Sequence, residues 1–368
     1  MAKLVCPDCG KEVKSKSALT AHVRKEHKDD PTVELAAKFG SAAPRPGGAW
    51  KPDRPLRAVP SGVPSIDYAI GIGGVPRGTL VEIFGDPAAG KTFTALTFGA
   101  FAQQQGGKLG FVDAERALQP SFLKLVPGLD VDSMFYAQPS WGEEAMEMSK
   151  EYIKTGQFAV WIIDSVHACV PQQMANTEIG SSQAQAALAR LMSQSCQILE
   201  HVIADTDTVA IFLNHKKHKP GVKFGRDWYV PGGSALEFYG SLRLHVWAKD
   251  TYKDKSSGKR IGHKVRVKVE KSKVSAPYAT ADYDLFYQAG VRSDTNEPVE
   301  PGIDVTSCWL SVLEAEERIK WSGNGYVDTD TGEKLGSVLE VREMLTDATS
   351  PLLVAANELV YPPEFAAA

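Results

Sequence analysis

Between Ser61 and about Val291, short apolar runs alternate with segments of helical period. TLVEIFG, KLGFVDA and FAVWIID are nearly continuous apolar stretches of strand length, the pattern of strands covered on both faces. Between and after them, KTFTALTFGAFAQQQ and EEAMEMSKEYIK carry helical spacing. This alternation predicts an α/β fold with a mostly parallel, doubly wound sheet. Further on, SLRLHVWA and HKVRVKVEK alternate with period two around the polar turn DKSSGKR, predicting an antiparallel hairpin that extends one edge of the sheet. The last 76 residues, from Ser293, mix a hairpin pattern (GYVDTDTGEKLG) with helix-forming stretches and predict a small α+β unit. Upstream of the core, GSAAPRPGGAWKPDRPLRAVP is rich in Pro and Gly and reads as a connector, with DDPTVELAAKFG able to form one short helix. The resulting division is 1–28, 29–60, 61–292 and 293–368.

Composition narrows the class. The chain has 368 residues, 43% of them hydrophobic, enough for one large core and small satellites. It has no run of about 18 apolar residues and no apolar segment ahead of a cleavage-like site, so a cytosolic protein is expected. The five cysteines, Cys6, Cys9, Cys169, Cys196 and Cys308, include only one close pair, which argues against a disulfide framework. Net charge is −4, with seven Lys/Arg against three Asp/Glu in residues 1–28. Contacts to nucleic acid must therefore come from local basic patches.

Gly85-Asp86-Pro87-Ala88-Ala89-Gly90-Lys91-Thr92 fits G-x-x-x-x-G-K-[ST], between a predicted strand and a predicted helix. The glycines let backbone N–H groups turn in around phosphates, and the helix start favours their charge. Lys91 would reach the terminal phosphates and Thr92 would ligate magnesium. FAVWIID ends in Asp164, where a parallel sheet would deliver a carboxylate beside that magnesium. Glu115, after the strand between them, is placed to polarise the attacking water; taken alone it reads equally as a surface residue or a helix cap.

At the N-terminus, Cys6-x2-Cys9-x12-His22-x4-His27 has the spacing of a two-Cys two-His zinc finger, with Val13 and Leu19 at its core positions. So small a module needs metal for its stability. Its base-reading positions would be Ser15, Ala18 and Ala21, two of which donate no side-chain hydrogen bond, so sequence-specific reading is not expected. Lys11, Lys14, Lys16, Arg24 and Lys25 suit phosphate tethering or protein docking.

Over Ser61 to Val291 the sequence resembles the RecA family of DNA recombinases. The likeness is carried by SGVPSIDYAIGIGGVPRGTLVEIFGDPAAGKT, FVDAERALQPSF, IIDSVHACVP, EIGSSQAQAALARLMSQ, IFLNH, PGGSALEFYGSLRL and VEKSKVSAPY. The resemblance implies a RecA-like ATPase core in which Glu115 activates water, Asp164 accompanies magnesium, Phe93 follows the phosphate loop in the nucleotide site, and Phe122 stacks on adenine where bacterial members usually have Tyr. It also implies that Lys271 and Lys273 reach a neighbouring subunit's terminal phosphate as a cation clamp. As residues alone, these two lysines fit a solvated strand face.

The family's two mobile DNA loops correspond to Glu178–Gln185, followed by Arg190 on the next helix, and to 216–231, followed by Gly232 and Gly233. The second, KKHKPGVKFGRDWYVP, sets Lys216, Lys217, Lys219, Lys223 and Arg226 among Phe224, Trp228 and Tyr229, cations and rings suited to single-stranded DNA. A charged solvent loop is the plainer alternative. Three departures stand out: His215 replaces the bacterial Gln that senses the terminal phosphate, Ala184 replaces a bulky residue, and Pro220 falls where an apolar wedge is common. Since bacterial members lack the finger, the resemblance is to a phage-encoded or otherwise divergent member.

The function implied is an ATP-, magnesium- and zinc-binding recombinase that forms helical filaments on single-stranded DNA and pairs it with a homologous duplex, hydrolysing ATP as it does so, with mediator proteins as further partners. Head-to-tail assembly would use Val33–Ala42, around Phe39, as its docking segment. A hexameric helicase or branch-migration ATPase would instead unwind without homology, and an ATP-switched DNA scaffold would keep pairing activity without Glu115.

Overall fold

The computed structural model describes residues 4–6, 11–26, 56–176, 183–219, 221 and 227–365, in two compact units, Met1–Pro55 and Leu56–Ala368. In the first, strands Leu4–Val5 and Glu12–Val13 pair antiparallel, and the Cys6 N–H donates to the Lys11 carbonyl at 2.8 Å. A helix, Lys16–Glu26, follows. Ser15 caps it, its Oγ accepting from the Ala18 N–H at 3.1 Å, so this hydroxyl already serves the backbone. Cys6 is buried. Cys9 and His27 lie outside the described residues, as do the short connector helix, the Val33–Ala42 segment, Lys223, Phe224 and Arg226. Among the described residues no group of three or more His, Cys, Asp or Glu could hold a metal.

The second unit is built on a nine-stranded sheet. In chain order its strands are β1 (Leu80–Gly85), β2 (Lys108–Asp113), β3 (Phe135–Ala137), β4 (Phe158–Asp164), β5 (Val209–His215), β6 (Leu242–Lys253), β7 (Arg260–Ser272), β8 (Thr280–Phe286) and β9 (Gly302–Ile303). They lie in the order β9-β8-β7-β6-β1-β5-β4-β2-β3. From β3 to β6 all neighbours are parallel, and β7 to β9 continue antiparallel. The sheet is therefore parallel in its middle and antiparallel at one edge, as the two hydrophobic patterns predict. The β6–β7 hairpin runs past its apolar alternation: Lys249, Asp250, Thr251 and Lys253 are exposed, while Tyr252 and Ile261 form a small buried cluster with Phe286.

Alternating side chains feed two cores. Val81, Ile83, Leu109, Phe111, Val160, Ile162, Ile211 and Leu213 face one; Val112, Trp161, Ile163, Ala210 and Phe212 face the other. Helix α1 (Lys91–Gln104) is buried over ten of its residues, which explains why its sequence is apolar almost all round. Helices α2 (Gly142–Lys154) and α3 (Gln183–Thr206) cover the opposite face, with Met146, Ile153, Met192 and Leu199 packed inward.

Beyond β9, the helix Val305–Ala315 is capped by Asp304, which accepts from the Ser307 N–H at 3.1 Å. The predicted hairpin forms from Gly325–Asp328 and Lys334–Gly336, with Ile319–Ser322 as a third strand. A cluster including Trp309, Leu313, Val341 and Ala356 fills this region and also packs against Tyr68 of the helix Pro64–Ile70.

That helix carries a fully buried carboxyl, Asp67. Asp67 accepts from the Ser61 N–H at 2.8 and 3.1 Å and from Tyr361 Oη at 2.9 Å. Burial pushes its pKa up to about 7 despite these donors. Between about pH 4 and 7 the folded carboxyl keeps a proton that the unfolded one has lost. Stability is then greatest at the acid end and declines as pH rises through that window. Thermal melts should show Tm falling by roughly 5 °C from this group between pH 5 and 8, a dependence that Asp67→Asn flattens; an unchanged slope in the variant would assign the effect elsewhere.

Candidate nucleotide site and adjoining cleft

The carboxyl ends of β1, β2, β4 and β5 meet along one edge, with Gly85 opposite His215 and Asp113 opposite Asp164 in register. In open α/β sheets this edge is where ligands bind. The chain leaves β1 at Gly85, where a Cβ would sit 1.8 Å from the Val246 carbonyl oxygen of β6, so only glycine lets the neighbouring strand pass. It enters α1 at Gly90, whose φ of 96° is left-handed. No side chain caps α1, leaving its N-terminal dipole open to an anion. Phosphates fit this cradle.

Lys91, buried, donates from Nζ to the Asp86 carbonyl at 2.8 Å; burial lowers its pKa, opposed by Asp164, Glu115 and Asp86. Thr92 Oγ1 donates to Asp164 Oδ2 at 2.8 Å. These are hard oxygen donors from the loop after β1 and from the end of β4, two strands away in the sheet, a set that suits magnesium. Burial pushes Asp164 up to about 6.

Glu115 follows β2, and its N–H donates to the Asp164 carbonyl at 3.1 Å. Its Oε1 lies 2.7 Å from His215 Nε2 and also accepts from Ser165 Oγ. The His215 hydrogen bond, helped by Ser165 and Lys91, pulls the carboxyl down to about 2. Glu115 is thus ionised and oriented, but restrained as a base while His215 holds it. Phe122 is half-buried and meets the fully buried Phe93 edge-on, centroids 5.8 Å apart, so Phe93 belongs to the core beneath the loop.

Beside this edge lies a cleft of about 590 Å³ whose lining includes His167, Met174, Leu188, Lys217, Lys219, Trp228, Gly232, Gly233 and Arg243. Within the basic segment, Lys217–His218 pairs antiparallel with Trp228–Tyr229 as a short ribbon at this cleft. Lys217 Nζ lies 3.1 Å from His167 Nε2. Lys216 turns the other way, its Nζ 3.3 Å from Asp86 Oδ2. Arg190 is exposed on α3.

Lys271 and Lys273 stand together at the end of β7, away from the loop's hydrogen bonds. Lys271 Nζ donates to the Glu237 and Phe238 carbonyls at 2.6 and 3.0 Å, and Lys273 Nζ to Tyr239 at 3.3 Å. They cap the helix Ala235–Tyr239 within their own chain. Sequence reasoning missed Ser165, His167 and the buried trio Glu82, Arg243 and Asn214, in which Arg243 Nε and Asn214 Nδ2 donate to Glu82 at 2.6 and 3.2 Å. Charged residues inside apolar strands were the available signal for Glu82 and Arg243. Nothing in the spacing marks Ser165 or His167.

Residues 30–292 match the RecA N-terminal domain. The chain is 42% identical to Protein RecA of Heliobacterium modesticaldum over 260 residues, covering 70% of this chain and 74% of that protein. It is 42% identical to Protein RecA of Saccharopolyspora erythraea over 240 residues, 65% and 68% of the two chains. Against Protein RecA of Clostridium novyi it is 37% identical over 305 residues, 83% and 82%.

Proposed function

The chain belongs to the RecA family, and from that premise we propose how its residues work as an ATP-dependent DNA recombinase and DNA-stimulated ATPase. The observation that carries the reading is the meeting of four strand ends at one site. It joins the open helix start at Gly90, the Thr92–Asp164 pair and the oriented Glu115 to a cleft walled by lysines and a tryptophan.

The loop amides and Lys91 would hold the terminal phosphates, and Thr92 with Asp164 would hold magnesium. Magnesium, when bound, neutralises phosphate oxygens. Glu115 orients the attacking water and takes its proton once His215 shifts its hydrogen bond toward the terminal phosphate. Phe122 offers a half-exposed ring to the base.

Lys217, Lys219, Gly232 and Gly233, with Arg190, Lys223, Phe224 and Arg226, would bind single-stranded DNA, phosphates on the cations and bases on the rings. Lys271 and Lys273 would leave their helix-end carbonyls to reach a neighbour's phosphate in a head-to-tail filament. Phe238, 71% exposed beside them, is a surface that assembly would cover. Purified protein should hydrolyse ATP faster with single-stranded DNA and exchange a labelled strand into a homologous duplex only. Unwinding without exchange would overturn the recombinase reading.

Cys6, Cys9, His22 and His27 would hold zinc. The paired strands followed by a helix support this reading, as does burial of Cys6. Elemental analysis should give one zinc per chain, and chelation should abolish the finger's protection from proteolysis while leaving ATP hydrolysis without DNA intact; metal-free protein with a protected finger would sink the assignment. With Ser15 used as a cap, the finger serves as a phosphate tether or a docking site. The chain would act in the cytoplasm of a bacterial or phage-infected cell.

A further inference from the structure

The DNA ribbon is rooted directly on the phosphate loop. After β5, the Lys216 N–H donates to the Gly85 carbonyl at 3.0 Å. Strand alternation then sends Lys216 to the side opposite His215 and Lys217. Its side chain, 13% exposed, sets the ammonium 3.3 Å from the carboxylate of Asp86, the first residue of the loop after Gly85. The returning strand is anchored beside it. The Trp228 ring lies 5.3 Å from that of Phe84, the residue before Gly85, and 5.7 Å from His245. Phe84 and His245 are register partners stacked at 4.9 Å and 4°. Both stems of the ribbon therefore touch the strand that presents the loop.

Asp86 is an anomaly in a loop that must receive a polyanion. Its carboxylate, 43% exposed on the first loop residue after Gly85, adds negative charge to the loop and would repel a phosphate unless a cation faces it. Lys216 is the cation that the structure supplies. Lys217 and Lys219 line the cleft, whereas Lys216 is spent on the loop.

We propose that Lys216 is a positioning residue of the nucleotide site. Its ammonium cancels the Asp86 charge within the phosphate loop, so that affinity for the polyphosphate depends on where the ribbon is held. Trp228, wedged against Phe84 and His245, sets that position. When single-stranded DNA moves the ribbon, Asp86 is covered more or less completely and nucleotide affinity changes. This last step rests on the reading of the ribbon as the DNA-binding element; the charge pairing does not.

The test is a double-substitution cycle on the full-length protein, titrated with a fluorescent ATP analogue and magnesium, without DNA and then with an oligo-dT. Lys216→Ala should weaken the nucleotide about tenfold without DNA. Adding Asp86→Asn should restore affinity to within about threefold, and Lys216→Arg should largely keep it. The oligo-dT effect on nucleotide affinity should shrink in Lys216→Ala. Additive losses in the double variant would overturn the proposal. So would a Lys216→Ala protein that loses oligo-dT affinity with nucleotide affinity unchanged, since Lys216 would then be a plain DNA contact. Rescue by Asp86→Asn separates charge pairing from misfolding. A wild-type protein that ignores oligo-dT would refute the DNA role of the ribbon, and the DNA-free cycle would still decide the role of Lys216.

Discussion

Glu115→Gln is expected to lower DNA-stimulated ATP hydrolysis by about 10³-fold while leaving nucleotide binding within a few-fold of wild type. The amide keeps the size of the side chain and can still face His215 and Ser165, but it cannot accept a proton from water, and a positioned base contributes on the order of 10² to 10⁴ in rate. The loop amides, Lys91 and the Thr92–Asp164 pair are untouched. Measuring kcat for hydrolysis beside the affinity for a non-hydrolysable analogue separates the two. A rate within tenfold of wild type would remove Glu115 from the chemistry.

The substitution also has an acid-side consequence with a definite sign. His215, Ser165 and Lys91 hold the folded Glu115 pKa near 2, below its ordinary value of 4.5. The resulting stabilisation is present above pH 4.5 and is lost as pH falls toward 2. Glu115→Gln should remove that part of the acid-unfolding slope.

The paired replacement Lys271→Ala with Lys273→Ala is expected to abolish DNA-stimulated hydrolysis, by about 10³-fold, without weakening ATP binding to the isolated subunit. Within one chain these ammonium groups cap the helix Ala235–Tyr239 through three carbonyl contacts. Such exposed contacts contribute little to stability. A cation delivered to a neighbour's phosphate would contribute far more, because it meets charge that develops only in the transition state. The decisive measurement mixes this variant with Glu115→Gln. In the proposed head-to-tail arrangement each site would use one chain's carboxylate and the other's lysines, so two inactive proteins should recover a sizeable fraction of wild-type hydrolysis on DNA. No recovery, with both proteins shown to co-assemble, would confine the lysines to helix capping.

Much of the candidate nucleotide edge was legible before folding was considered. The phosphate loop declares itself because its function needs local things: glycines at turn positions, then a lysine and a hydroxyl at a helix start. Asp164 was legible because a buried parallel strand must end somewhere, and an acid at that end has few purely structural uses. The hairpin β6–β7 and the one after Gly325 were visible in their alternation. Other features were not. The stretch from Lys216 to Pro231 reads as one loop of cations and rings, yet Lys216, Lys217 and Trp228 face three different partners. Period-two alternation and the packing of Phe84 and His245 decide this, not composition. Lys216, read from the sequence as a DNA contact, has its ammonium 3.3 Å from the Asp86 carboxylate.

The sequence by itself determined the α/β class, the candidate phosphate loop and the acids proposed beside it, since each depends on residues adjacent in the chain or on a single strand's periodicity. Only the tertiary structure decided that β1 lies between β5 and β6, and that His215 grips a carboxylate a hundred residues away. It also decided that the basic ribbon is rooted on the phosphate loop. Those are matters of strand order and register across the sheet, and residues far apart in a chain acquire a shared chemistry only when the sheet brings their strand ends to one edge.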